Sequence, residues 1–182
     1  MTCPLDDSWS LYVHYKDLGE LYNDNLEKLQ DIESIEYFWR TINNVPKTYE
    51  LFSDGYNVKK IKRNNATPCA YSFFRTHIKP CWEDHSNNNG FEFSIKSNKN
   101  FQNFEDLWIN SLLTLISNKK EIYKFITGIR VVDVTKYTSV MYRLEFWVSD
   151  EERREEIQTL LVEDFNITTK LSYRSHKNMK EN

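Results

Sequence analysis

Apolar and polar residues alternate from Trp9 to Tyr15, with Trp9, Leu11, Val13 and Tyr15 set against Ser10, Tyr12 and His14. A period of two marks a strand with two different faces, one of them turned to the core. The period changes after Ser34, a suitable N-cap, where Ile35, Phe38, Trp39 and Ile42 fall at helical spacing before Asn44-Val45-Pro46 ends the helix. Ala70–Phe74 and Phe91–Ile95 read as short strands with a loop between them. Asn103 can cap a second helix that runs through Leu107, Trp108, Leu112, Leu115 and Ile116. Two longer strand candidates, Gly128–Lys136 and Ser139–Val148, lie close enough to form a hairpin. Ser149 and Glu152 then have the spacing of a capping box, opening a helix whose inner face carries Ile157, Leu160 and Leu161. No βαβ rhythm is present, so the pattern predicts an α+β domain with an antiparallel sheet and helices on one face. The basic and polar stretch Asn57–Pro68 reads as a long loop, and His176–Asn182 as a polar tail, which leaves 1–175 as a single domain.

Composition narrows the function. A chain of 182 residues with 40% hydrophobic and 28% charged positions has the profile of one folded domain. Five Trp, eleven Tyr and eleven Phe exceed what such a core needs, which leaves aromatic rings for exposed stacking surfaces. A formal net charge of −3 argues against tight, non-specific binding to long nucleic acid but leaves room for a ligand with a few phosphates. Cys3, Cys69 and Cys81 are odd in number and lack metal-ribbon spacing, and the start of the chain has no apolar leader. The expectation is therefore a reduced, cytoplasmic protein with access to the nucleus and no membrane segment. His77, Cys81 and His85 have the spacing of a metal site but share the loop that carries Trp82, and no metal is expected there.

The segment Ile78-Lys79-Pro80-Cys81-Trp82-Glu83-Asp84 presents a Trp beside a carboxylate in a Pro-bounded loop. That pair suits guanine: the base stacks on the indole while its N1–H and exocyclic amine donate to one carboxylate. Methylation at N7 makes the base cationic and strengthens the stacking. On pattern alone, a core Trp beside a solvated Glu is the simpler reading.

Five ordered segments change that weighting: CPLDDSWSLYVHY, SIEYFWRTINNVP, FRTHIKPCWED, FEDLWINSLLTLI and LEFWVSDEE. Together, and with LSYRSHK near the end, they resemble the translation initiation factor 4E family of cap-binding proteins over nearly the whole chain. The resemblance implies a strongly curved antiparallel sheet backed by about three helices, with a slot for the 7-methylguanosine cap on the concave face. It implies recognition without catalysis and without a cofactor.

By the same resemblance Trp82 is one stacking wall, Glu83 the guanine-reading carboxylate and Trp147 the contact to the N7-methyl group. Tyr22 falls where most members have the second stacking Trp, as in the family's divergent 4E-homologous class. Arg143 falls at a phosphate-binding Lys, and strand alternation puts Arg143, Glu145 and Trp147 on one face. Thr135 falls at the family's phosphate Arg, so Lys136 or Arg130 substitutes only if a bulge re-aims it. Gly90-Phe91-Glu92-Phe93 replaces a Gly-Gly-Arg-Trp pattern, which puts an acid where a basic residue approaches the phosphates; the Lys59–Arg63 run is a candidate to compensate. On the opposite face Pro4, Ile35, Trp39, Ile109, Asn110 and Leu113 match the docking site for helical peptides of the initiation factor 4G scaffold and of 4E-binding repressors. Periodicity by itself assigns Ile35 and Trp39 to the core. The implied partners are capped mRNA and such a peptide, with two alternatives: a translational repressor of the same family, or an interaction module without cap binding.

Overall fold

The computed structural model describes residues 2–16, 25–52, 66–97, 101–117, 120–136 and 139–177. Seven strands form one antiparallel sheet: β1 (Pro4–Lys16), β2 (Leu26–Ser34), β3 (Thr67–Arg75), β4 (Phe91–Ser97), β5 (Ile126–Asp133), β6 (Tyr142–Val148) and β7 (Ser172–Ser175). Their order across the sheet is β2-β1-β3-β5-β6-β4-β7. Helices α1 (Ile35–Asn44), α3 (Phe101–Ser117) and α4 (Arg154–Glu163), with the single turn α2 (Thr48–Leu51), complete the fold. The sheet is curved, with the three longer helices against one face.

The main core lies between that face and the helices. The sheet contributes Leu11, Phe73, Ile129, Phe146 and Phe93; α1 contributes Phe38 and Ile42, α3 Phe104, Trp108 and Leu112, and α4 Ile157, Leu160 and Leu161. The α1 reading holds: the Tyr37 N–H donates to Ser34 Oγ at 3.2 Å, and the helix stops at Val45 in extended geometry ahead of Pro46.

Several boundaries differ from expectation, each for a local reason. Asn103 is the third residue of α3 and not its cap, because the buried stripe already includes Phe104 and the helix must begin before it. Ser149 is drawn back to Phe125, its N–H donating to the Phe125 carbonyl at 2.9 Å, so Asp150 caps instead by accepting from the Glu152 N–H at 3.0 Å. The result is a 3₁₀ turn, Glu151–Arg153, ahead of α4. Strand β5 ends at Asp133, whose carboxylate accepts from the Thr135 N–H at 2.9 Å and turns the chain out of the ladder.

Two strands carry no readable alternation. β2 is an edge strand rich in exposed charge, and β7 at the other edge has four residues. Charged or short edges discourage pairing with a second sheet. His176, expected in the polar tail, is instead fully buried at 0% exposure, because β7 returns it to the sheet.

β5 contains an extra residue: Ile126 pairs with Val148 and Gly128 with Trp147, so Thr127 is bulged out. Gly128 then lies directly beneath Phe74, and a Cβ there would enter the ring's van der Waals envelope. Gly128→Ala is expected to destabilise the protein by about 1–3 kcal/mol through overpacking. Urea denaturation of the purified variant measures this.

Candidate functional site

Partners in an antiparallel ladder project to the same face, so the register sorts the concave side into transverse rows. The first row is Ser10, Phe74, Gly128, Trp147, Glu92 and Arg174; the second is Tyr12, Ser72, Arg130, Glu145, Ser94 and Ser172; the third is His14, Ala70, Val132, Arg143 and Lys96. The rows that alternate with these are the apolar ones of the core. A polar, chemically equipped face therefore backs directly onto a hydrophobic one.

The loop between β3 and β4 lies over the first row. Asn87 ties it together, its Nδ2 donating to the carbonyls of Lys79 at 2.9 Å and Cys81 at 3.0 Å. The Asp84 carboxylate accepts from the N–H groups of Lys79 and Ser86 at 2.9 Å each. On this frame Trp82 is half-buried against a small second cluster of Phe74, Ile78 and Trp147, and its neighbour Glu83 is exposed. Trp147 is at 0% exposure, with Phe74 edge-on at 5.4 Å and the His176 ring at 4.6 Å.

Glu145 sits at the middle of this face and is itself at 0% exposure. Arg143 Nε donates to its Oε1 at 2.7 Å and Trp147 Nε1 to its Oε2 at 3.0 Å. One buried carboxylate thus orients both an indole and a guanidinium. Arg130 is its ladder partner on β5. The Thr127 bulge makes that possible, because without the extra residue Ile129, not Arg130, would face this side.

Glu92 is buried as well, and Arg174 donates to its Oε1 at 2.6 Å. His176 Nδ1 lies 2.8 Å from the Asn87 carbonyl, which can only accept, so Nδ1 carries a proton. Its Nε2 then faces Glu92 Oε2 at 3.8 Å, and neither atom has a hydrogen-bond partner among the described residues. Burial pushes the Glu92 carboxyl up, but His176, Arg174 and Arg143 together outweigh it and hold the group below its ordinary value. The acid that replaces a basic residue here is thus paired.

On the helical face the N-terminal strand is pinned to α1: the Cys3 N–H donates to the Glu36 carboxylate at 3.0 Å, and the Ile35 N–H to the Cys3 carbonyl at 3.0 Å. Trp39 is 40% exposed, which overturns the core assignment that periodicity gives it. Ile35 is half-buried, as are Ile109 and Leu113, which lie one turn apart on α3. Pro4 and Asn110 are exposed.

The sequence profile of the family described as Eukaryotic initiation factor 4E matches residues 4–182. The chain belongs to this family. It is 26% identical over 180 residues to mouse eukaryotic translation initiation factor 4E type 1B, covering 95% of this chain and 67% of the relative. It is 27% identical over 157 residues to human eukaryotic translation initiation factor 4E, covering 85% of this chain and 64% of the relative. Against zebrafish eukaryotic translation initiation factor 4E-1B the match covers 49% of the relative, so the chain spans about half to two thirds of the curated relatives' length. The fold is that of C. elegans eIF4E-3 in its complex with the 4E-binding protein Mextli and cap analog, with TM-score 0.79 at 21% identity over 100% of this chain and 97% of the other. The Ascaris suum eIF4E-3 complex with m7G cap gives 0.78 at 21% identity over 97% and 92%.

Of the residues assigned by the initiation factor 4E pattern, the structure gathers Trp82 and Trp147 into one cluster and puts Arg143 on the same strand face as Trp147. Glu83 stays at the loop surface. Lys136 does not join the rows: it lies past the end of β5, exposed, in an isolated bridge with Ser139. The condition set for Arg130 is met, since the bulge places it in the second row. Tyr22 and the Lys59–Arg63 run lie outside the described residues. Glu145 was legible from alternation, but its bonds to two neighbours were not, and nothing in the local pattern marked Lys96, Arg174 or His176. Among the described residues no group of His, Cys, Asp or Glu is arranged to hold a metal ion, and no helix is long and apolar enough to cross a membrane.

The concave face also makes stability depend on pH. His14 Nε2 lies 2.7 Å from Ser72 Oγ, and burial first, then the Arg130 guanidinium, push the imidazole well below its ordinary 6.5. The unfolded chain takes up a proton near that value while the folded chain refuses it, so this contribution is full above it and is lost as pH falls. Between about pH 7 and about pH 5.5 it should decline by about 1 kcal/mol. His14→Gln should flatten the decline in urea unfolding measured across that range.

Proposed function

We propose that this chain binds the 7-methylguanosine 5′ cap of messenger RNA on its concave face and a helical peptide on its convex face, acting in translation initiation in the cytoplasm. Trp82 supplies one stacking wall and Tyr22 the other, Glu83 accepts from the guanine edge, Trp147 lies toward the N7-methyl group, and Arg143 takes phosphate. The observation that carries this reading is the placement of Trp82. It is held half-buried on a loop cross-tied by Asn87 and Asp84, against Trp147, with the exposed Glu83 carboxylate beside it. A flat π face next to an acceptor-only group is what a cationic, double-donor base requires. Family membership supports the same reading, as do the similar structures, a complex of Ascaris suum eIF4E-3 with m7G cap and one of Schistosome eIF4E with m7GpppG and 4E-BP.

The reaction is recognition only; no bond is made or broken. Trp82→Ala should lower affinity for a 7-methylguanosine cap analogue by the loss of one stacking wall, about 1–3 kcal/mol. Titration by intrinsic fluorescence, with unmethylated GTP as control, reads this, and an affinity kept within about twofold by the folded mutant would remove Trp82 from the slot.

For the convex face, the partner class is a helix of an initiation factor 4G-type scaffold or of a 4E-binding repressor. A large aromatic left 40% exposed on α1, with half-buried Ile35, Ile109 and Leu113 on α1 and α3, has the make-up of an anchor for a helix laid into an apolar groove. Trp39→Ala should cost on the order of 2 kcal/mol in affinity for a Tyr-x-x-x-x-Leu-apolar peptide. Cap affinity should be unchanged, because the sheet separates the two faces. Isothermal titration with both ligands separates the claims.

A further inference from the structure

We propose that Lys96 is a phosphate-binding residue of the concave face, acting with Arg143 to form a clamp across strands β4 and β6 that grips the phosphate chain of the cap. The inference rests on the cap-binding reading and adds to it a residue outside the family pattern described above.

Lys96 and Arg143 are ladder partners in the third concave row. Directly opposed side chains on one face of an antiparallel pair have their Cβ atoms within about 4.5–5.5 Å, and like charges so placed repel. Lys96 is exposed, and among the described residues it makes no hydrogen bond or ion pair. Arg143 is aimed by Glu145, which takes its Nε at 2.7 Å and is in turn held by Trp147 Nε1 at 3.0 Å. The guanidinium is therefore fixed relative to the indole that bounds the base.

The third row of β6 and β4 holds two cations, Arg143 and Lys96, and the neighbouring carboxylate, Glu145, is paired with Arg143, which leaves the charge of Lys96 in excess there. The acid in the first row does not cancel this excess, because Glu92 is already engaged by Arg174. A local surplus of positive charge in a chain of formal charge −3 favours an anionic ligand at this place. The site lies four residues from Trp147, roughly 13 Å along β6 by strand geometry, which long cationic side chains and a polyphosphate leaving the base can bridge. The chemistry that fits is the di- or triphosphate of a nucleotide whose base sits beside Trp147. Thr135 supplies no cation, and its hydroxyl is taken by the Met141 N–H at 3.1 Å.

The test is fluorescence titration of wild type, Lys96→Ala and Lys96→Arg with 7-methylguanosine, its monophosphate and its triphosphate, at low and high salt. Wild-type affinity should rise with phosphate number. Lys96→Ala should lose about five- to twentyfold in affinity for the triphosphate and less than about twofold for the nucleoside, with a shallower salt dependence. Lys96→Arg should stay within about twofold of wild type, and the melting temperature of Lys96→Ala should be unchanged or higher, since a like-charge opposition is removed. An unchanged triphosphate affinity in Lys96→Ala, or an equal loss for nucleoside and triphosphate, overturns the assignment. Failure of the wild type to bind any of the three ligands overturns the cap reading, and the clamp with it.

Discussion

In an antiparallel ladder each residue and its partner share a face, and every feature of the concave surface follows from that parity. It holds across six strands, so that Leu11, Phe73, Ile129, Phe146, Phe93 and Tyr173 line up on the helical side. The neighbouring row of Ser10, Phe74, Gly128, Trp147, Glu92 and Arg174 lines up on the other. A slip of one residue in a single strand would exchange core for site along its whole length. The sheet uses that sensitivity at Thr127: the bulge reverses the parity of β5, sends Ile129 into the core and brings Arg130 to the concave side.

Parity also brings ionisable groups to a surface that the β3–β4 loop and the end of the chain partly cover. Burying a carboxylate is costly unless hydrogen bonds and opposite charge replace its water. Glu145 has Trp147 and Arg143; Glu92 has Arg174 and faces His176. These pairs do more than offset desolvation. They set the angle of the Trp147 indole and the direction of the Arg143 guanidinium, two groups that the base and phosphates of the proposed ligand would meet in turn. Removing one partner would leave an unpaired buried charge, so the network constrains the floor of the slot as a unit.

The helical face is organised differently, mainly by apolar burial. There α1 and α3 spend most of their hydrophobic stripe on the core but leave Trp39 at the surface, and a ring of that size left in water marks a place where a partner can cover it. With the sheet between them, the two faces can be occupied together, as the proposed joining of capped mRNA to a scaffold requires.

Local periodicity in the sequence determined the α1 helix and its Ser34 cap, the buried face of α4, the antiparallel α+β class and the common face of Arg143, Glu145 and Trp147, because each depends only on residues a few positions apart. Motif resemblance over the whole chain determined the family and the identity of Trp82, Glu83 and Trp39 as candidates. Tertiary structure alone decided which strands are neighbours, and hence that Lys96 stands opposite Arg143, 47 positions away in the chain. It alone decided the Thr127 bulge, which no alternation pattern announces, and the burial of His176, whose polar surroundings in sequence suggested a tail. Edge strands β2 and β7 escaped notice because a strand with one free edge and exposed charge carries no hydrophobic alternation to read. The physical reason is common to all of these: periodicity reports how a segment meets water, whereas register and pairing depend on contacts between segments that no local window contains.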